Sequence, residues 1–247
     1  PLPLDAPQLI VPDTRSGAAV AAKGFYGHPS ASMRVIGVTG TNGKTTTTNL
    51  IEAILSASGK KTGLMGTIAV KIGGAPEAAV RTTADAVTLQ RTLRRMADAG
   101  AEYCVMEVSS HALHQGRTIG IDFRTAVFTN LTQDHLDYHE TMERYAEAKG
   151  LLFARLGNGA EAAPSQKKFA VLNADDPVHA YYKGLTAAET ITYGIAAEAD
   201  VRASGIRLTA RGTEFTVATF AGEERMALRL LGKFNVYNAL GDRKSIV

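Results

Sequence analysis

The sequence predicts an α/β fold: a mostly parallel sheet of the P-loop type flanked by helices, with a small antiparallel β flap near the C-terminus. Three observations predict it. From Met33 to about Gly194, strand-like apolar runs alternate with stretches of helical spacing, the order that builds a parallel sheet through crossover helices. The first strand breaks at Gly40-Thr41-Asn42-Gly43-Lys44-Thr45-Thr46 into a glycine-rich turn and then a helix, a layout that closes main-chain N–H groups around phosphate. After Val201 the texture changes to short runs with period-two alternation, which suits antiparallel strands with one wet face.

Taken in order, residues 1–32 carry little pattern, although Leu9-Ile10-Val11 suits a short strand and Ser16 to Phe25 a helix of small residues. Strands are expected at 34–39, 63–70, 102–108, 125–129, 168–173 and 190–193, each a short apolar run bounded by turn residues. Apolar spacing places helices at 44–58, 85–99, 141–156 and 176–184. Three flap strands are expected, over Ala203 to Leu208, Glu214 to Thr219 and Arg225 to Leu230. There is no internal repeat and no low-complexity tract.

The 247 residues suffice for a full core. A net charge of +3 is too small to argue for nucleic acid, and Arg91, Arg94 and Arg95 read as the solvated face of a helix. The single cysteine, Cys104, excludes an internal disulfide and sits in the apolar run Tyr103-Cys104-Val105-Met106 as a small core residue. Neither a signal peptide nor an apolar run of membrane-spanning length is present, so a cytoplasmic setting is expected, with no membrane partner. No nucleic-acid partner is expected, and the chain is expected to be a monomer.

The glycine-rich turn carries the chemistry. Lys44 supplies a cation, and the Thr45 hydroxyl can ligate Mg²⁺ beneath a bound triphosphate. The common G-x-x-x-x-G-K-[ST] pattern would put its first glycine at Val38, whereas the glycines here are Gly37, Gly40 and Gly43. The loop is therefore a variant, and the competing reading is a strand-to-helix turn with an incidental lysine. Glu107-Val108-Ser109-Ser110-His111 follows a buried strand, where a carboxylate can hold phosphate-bound Mg²⁺ or merely cap a helix. Thr129 to Asp137 also follows a strand; Asn130 has the donor and acceptor to pair with a base edge, and His135 suits either a metal or a helix cap. Lys149 falls on the apolar stripe of the helix expected at 141–156, with Met142, Tyr145, Ala146, Leu152, Phe153 and Leu156. A lysine there either snorkels to water or is functional with a lowered pKa, open to chemical modification. Arg81-Thr82-Thr83 and His114-Gln115-Gly116-Arg117 offer donors suited to an anionic substrate.

Five segments in order resemble the Mur ligase family, in its branch that forms the muramoyl tripeptide. They are Gly37 to Thr46, Met106 to Leu113, Thr129 to His139, Val171-Leu172-Asn173-Ala174-Asp175-Asp176-Pro177 and Gly232-Lys233-Phe234-Asn235-Val236-Tyr237-Asn238-Ala239. The variant glycine spacing is the form that family uses. The resemblance implies that ATP phosphorylates the D-glutamate γ-carboxyl of UDP-MurNAc-L-Ala-D-Glu and that a diamino acid amine then attacks the acyl phosphate. The diamino acid would be meso-diaminopimelate or L-lysine, with meso-diaminopimelate expected. The resemblance gives Gly40, Thr41, Asn42, Gly43, Lys44, Thr45, Thr46, Asn130 and Asn238 to ATP, and Thr45 and Glu107 to one Mg²⁺. It gives His135 and Lys149 to a second Mg²⁺, with Lys149 carrying a CO₂-derived carbamate, and Thr82, Thr83, Ser109, Gln115 and Arg117 to the muramoyl dipeptide. Lys44, Lys149 and His135 would be the catalytic set. Residues 1–32 resemble the end of an N-terminal uridine-binding domain, 33–240 the central ATP-binding domain, and 241–247 an atypical tail where the family continues into a domain that binds the amino acid. The chain by itself is expected to be inactive as a ligase. The alternatives are a ligase resembling folylpolyglutamate synthetase and a non-catalytic nucleotide-binding module.

Overall fold

A computed structural model describes residues 8–157 and 167–242. Its central strand is β1 (Arg34–Thr39), buried from Val35 onward. On one side β1 pairs in parallel with β5 (Tyr103–Glu107), and on the other with β6 (Phe123–Phe128). Beyond β5 lie β2 (Thr62–Met65), parallel, then β3 (Ala69–Ile72) and β4 (Ala75–Ala78), antiparallel. Beyond β6 lie β7 (Phe169–Asn173), β8 (Glu189–Gly194) and β9 (Val201–Thr209), all parallel. Two antiparallel strands, β10 (Gly212–Thr219) and β11 (Gly222–Leu228), complete a sheet of 11 described strands.

Helices cover both faces because the parallel strands are apolar on both. Along β1, Val35 packs into one core with Leu93 and Met96 of α3 (Ala86–Asp98) and with Leu152 and Phe153 of α6 (Met142–Ala154). Ile36 and Val38 point the other way, onto Ile51 and Leu55 of α2 (Lys44–Ala57) and Val236 and Leu240 of α8 (Lys233–Asp242). This two-faced burial is the strand alternation expected of a sheet sandwiched between helices. The remaining helices are α1 (Thr14–Phe25), α4 (Ser110–His114), α5 (Leu136–His139) and α7 (His179–Leu185). None of the described helices is long and apolar enough to cross a membrane.

The expected order of strands and helices holds, with local corrections. Leu9-Ile10-Val11 forms no strand. The run 63–70 is not one strand but β2 and β3, folded back on each other through a turn at Gly66–Ile68; its apolar composition hid the reversal. The third flap strand begins at Gly222, not Arg225, because a tight turn at Phe220-Ala221 sets Thr219 opposite Gly222. The antiparallel flap joins the main sheet through β9, which pairs with β8. Helix α8 runs through Gly241 to Asp242, across the boundary expected at 240, and residues 243–247 of the tail lie outside the described residues.

Candidate active site

The parallel strands β1, β5 and β6 deliver their carboxyl ends to one place. The chain proceeds from β1 to strands on both of its sides, so this place is a switch point of the kind where ligands bind in open α/β sheets. The loop 40–43 leaves β1, Glu107 ends β5 opposite Val38, and Thr129-Asn130 leaves β6. Glycine is required at position 40, where φ is +149° and a Cβ would stand 1.9 Å from Thr129 Oγ1.

The loop is held in shape by the segment after β6. Asn130 O accepts the Thr41 N–H at 2.8 Å, and Thr129 Oγ1 donates to Asn42 O at 2.7 Å. The Asn130 side chain clamps the Asn42 backbone, accepting from its N–H and donating to its C=O, each at 3.0 Å. Its first duty is thus to fix the loop, and only its remaining N–H and lone pair are left for a ligand. Preorganisation of this kind lowers the cost of ordering a binding loop.

Two lysines converge on one oxygen. Lys44 Nζ donates to Gly40 O and Thr41 O, both at 2.9 Å, and Lys149 Nζ donates to the same Gly40 O at 2.8 Å. Lys149 is 1% exposed and its ammonium lies 4.3 Å from the Tyr145 ring centroid. Snorkelling is therefore excluded. Burial holds the Lys149 amine well below the ordinary lysine range, the neighbouring Lys44 adds to that, and Asp134 opposes it. Burial also lowers Lys44, against Glu107 and Asp134.

Across the loop, the Thr45 hydroxyl lies 3.0 Å from both oxygens of Glu107, a residue 1% exposed. Two oxygens sharing one Mg²⁺ at about 2.1 Å in an octahedron stand about 3 Å apart, so this pair suits the ion. Among the described residues no three His, Cys, Asp or Glu side chains are grouped to hold a metal by themselves. That also suits Mg²⁺, which takes one or two carboxylates and completes its shell with phosphate and water. His135 caps α5 in the left-handed conformation, with φ 52°. Its ring meets those of His111 at 4.8 Å and Tyr145 at 5.9 Å, and its Nε2 is 3.5 Å from Asp134 Oδ2. His135 and Lys149 therefore flank the same tyrosine.

The residues expected to hold the acceptor substrate are knitted to Glu107. Thr83 Oγ1 donates to Glu107 O at 2.9 Å and accepts the Ser109 N–H at 3.1 Å. Arg117 donates to Thr83 O at 2.9 Å and, through two nitrogens, to Gln115 Oε1. On the far side of the loop, a cavity of about 740 Å³ is lined by Asn42, Gly43, Thr46, Asn130, Asn238 and Asp175, among others. Of the expected nucleotide residues, Asn42, Gly43, Thr46, Asn130 and Asn238 thus line one space, whereas Gly40, Thr41, Lys44 and Thr45 do not.

Sequence reasoning assigned no role to Asp175, Tyr145, His139 or Thr67. Asp175 belongs to the quoted segment 171–177, which was the available signal. Burial raises its carboxyl, but donation from Ala196 N–H, Tyr237 O–H and the N–H groups of Ile195 and Ala197 outweighs that and brings it to about 2. Tyr145 read as plain core because its ring does pack inside. His139 is 4% exposed and shares a 3.0 Å hydrogen bond between Nε2 and Ser110 Oγ. Burial, then His111 and His114, push its imidazole down to about 4. An unfolded imidazole titrates near 6.5, so the unfolded chain takes up this proton first. The contribution is fully present above pH 6.5 and is lost as pH falls towards 4. His139→Gln should flatten this loss, on the order of 2 kcal/mol between pH 7 and pH 4.5. Urea midpoints at the two pH values check it; equal pH dependence in both chains would contradict it.

Known proteins match this chain over most of its length. A sequence profile of the Mur ligase middle domain matches residues 38–241. The UDP-N-acetylmuramoyl-L-alanyl-D-glutamate--2,6-diaminopimelate ligase of Geobacillus kaustophilus is 54% identical over 240 residues, which cover 97% of this chain and 49% of that protein. The ligase of the same name from Lactiplantibacillus plantarum is 49% identical, over 97% of this chain and 48% of its own length. A solved structure of a ligase so named superposes with a TM-score of 0.83 at 33% identity, covering 95% of this chain and 47% of the other. A folylpolyglutamate synthase from Mycobacterium tuberculosis shares the fold, with a TM-score of 0.76 at 19% identity, over 94% of this chain and 58% of its own. This chain spans about half the length of the ligases it matches.

Proposed function

The chain belongs to the Mur ligase family, as its middle domain, and from that premise we propose that it is the ATP-binding centre of an amide ligase acting on a peptidoglycan precursor. The reaction joins a diaminopimelate amine to the D-glutamate γ-carboxyl of UDP-MurNAc-L-Ala-D-Glu. A carboxylate oxygen attacks the γ-phosphorus of ATP, the bond to the bridging oxygen breaks, and ADP leaves. The amine nitrogen then attacks the acyl carbon, phosphate departs, and the nitrogen sheds a proton to give the amide.

Each residue has a duty that its surroundings support. The backbone N–H groups of the loop and Lys44 bind the triphosphate, with Lys44 exchanging its bonds to Gly40 O and Thr41 O for phosphate oxygens. Thr45 and Glu107 would hold one Mg²⁺, and His135 with a carbamylated Lys149 a second. When bound, these ions would neutralise charge on the transferring phosphoryl group. Lys149 suits carbamylation because burial shifts the amine towards its neutral, nucleophilic form. The amine adds to CO₂, forming an N–C bond and losing one proton, and the product is an anionic oxygen ligand. Thr82, Thr83, Ser109, Gln115 and Arg117 orient the acceptor substrate, and the cavity beside Asn238 and Asp175 takes the rest of the nucleotide. The protein works as a monomer in the cytoplasm.

The convergence of Lys44 and Lys149 on Gly40 O, beside the Thr45–Glu107 pair, carries this reading. A full-length ligase carrying this middle domain should release phosphate from ATP only with both the UDP-muramoyl dipeptide and diaminopimelate present. The chain alone should bind nucleotide without turnover. Phosphate release dependent on a folate substrate would move the assignment to the folylpolyglutamate synthase relatives. Turnover by the chain alone at the full-length rate would overturn its role as a partial site.

A further inference from the structure

We infer that Thr67 is a positioning residue that fixes the metal-holding carboxylate of Glu107. The inference rests on the assignment of Glu107 to Mg²⁺ proposed above. Thr67 lies in the exposed turn between β2 and β3, where it has no part in the core. It nevertheless grips both oxygens of a buried carboxylate: its N–H donates to Glu107 Oε1 at 2.8 Å and its hydroxyl to Oε2 at 3.1 Å. Thr45 reaches the same two oxygens at 3.0 Å. The carboxylate plane is thereby set by one residue of the turn and presented to another on the phosphate loop.

The proton directions follow from chemistry. A carboxylate that binds metal only accepts, so the Thr67 proton points at Glu107. Thr67 Oγ1 lies 3.1 Å from Thr82 Oγ1, so in that pair Thr82 must donate. The result is a directed chain from Thr82 through Thr67 to Glu107. It ties the loop proposed for the acceptor substrate to the metal ligand and leaves the Thr82 oxygen as an acceptor for a substrate N–H. The approach also explains Gly66, where a Cβ would stand 2.6 Å from Glu107 Oε1. A larger residue there would displace the carboxylate or the turn that grips it.

The test is the Mg²⁺ requirement of nucleotide binding, read by titrating the chain and a fluorescent ATP analogue with MgCl₂. Outer-shell hydrogen bonds of this kind are worth about 10- to 100-fold in metal affinity, so Thr67→Val should raise the half-saturating Mg²⁺ by about that factor, and Thr67→Ser should restore it. Binding in EDTA should be the same for parent and both variants, which separates a lost metal from a damaged loop. Glu107→Gln is the reference and should raise the requirement at least as much as Thr67→Val. If Glu107→Gln raises it and Thr67→Val does not, the role of Thr67 is overturned while the metal assignment stands. If neither raises it, the metal assignment fails and takes this inference with it. Equal weakening of Thr67→Val with and without Mg²⁺ would also overturn the inference.

Discussion

Lys149→Met will stabilise this domain by about 1–3 kcal/mol in CO₂-depleted buffer, the range expected when a buried charged residue gives way to an apolar one of similar volume. The same substitution, in a full-length ligase, will lower turnover by about a hundred- to a thousandfold, as loss of one preorganised charge-stabilising element does. The two effects have one cause. Lys149 is 1% exposed, its amine has Gly40 O as a hydrogen-bond acceptor and the Tyr145 ring beneath it, and Lys44 donates to that same oxygen. Two cations on one carbonyl in a buried site are unfavourable, so stability alone argues against lysine there. The proposed function argues for it, because only an amine can become a carbamate. Urea denaturation measures the first effect and coupled ADP release the second. A variant both less stable and fully active would show that Lys149 is merely structural.

The second large effect belongs to Lys44. Lys44→Ala should weaken binding of an ATP analogue about a hundredfold or more, since charge-assisted hydrogen bonds contribute about 1.5–3 kcal/mol each and the ammonium offers at least two to phosphate. Folding should change by no more than about 1 kcal/mol, because the lost bonds to Gly40 O and Thr41 O are offset by relief of a partly buried charge. Calorimetric titration and thermal unfolding separate the two. Unchanged affinity would remove the cation from the binding site.

Much of this site was legible in the sequence because its signals are local. The loop shows as strand, glycines, lysine and threonine in order, and Glu107 shows as a charge at the end of an apolar strand. Lys149 shows as a cation within an apolar stripe, and its burial bears out that anomaly. What was not legible depends on contacts between distant segments. Thr67 lay inside a run read as continuous strand, and Gly66 is the one local mark of the reversal that brings it to Glu107, 40 residues away. Asn130 had the chemistry of a base reader, yet its amide grips the backbone of Asn42, a pairing that only the adjacency of β1 and β6 creates. His139 stood only at the end of the quoted segment 129–139; its burial follows from packing beside α4 and the ring of Tyr145. The shifted edge strand β11 has an equally physical origin, since Glu223 and Glu224 are exposed and carry no apolar signal.

The phosphate grip is tested most directly by a crystal structure of this chain with a non-hydrolysable ATP analogue and Mg²⁺. The β- and γ-phosphates should lie in the loop 40–45, with Lys44 released from Gly40 O and Thr41 O onto phosphate and the ion between Thr45 and Glu107. A saturated crystal with that loop empty and Lys44 still bonded to its own backbone would contradict the account.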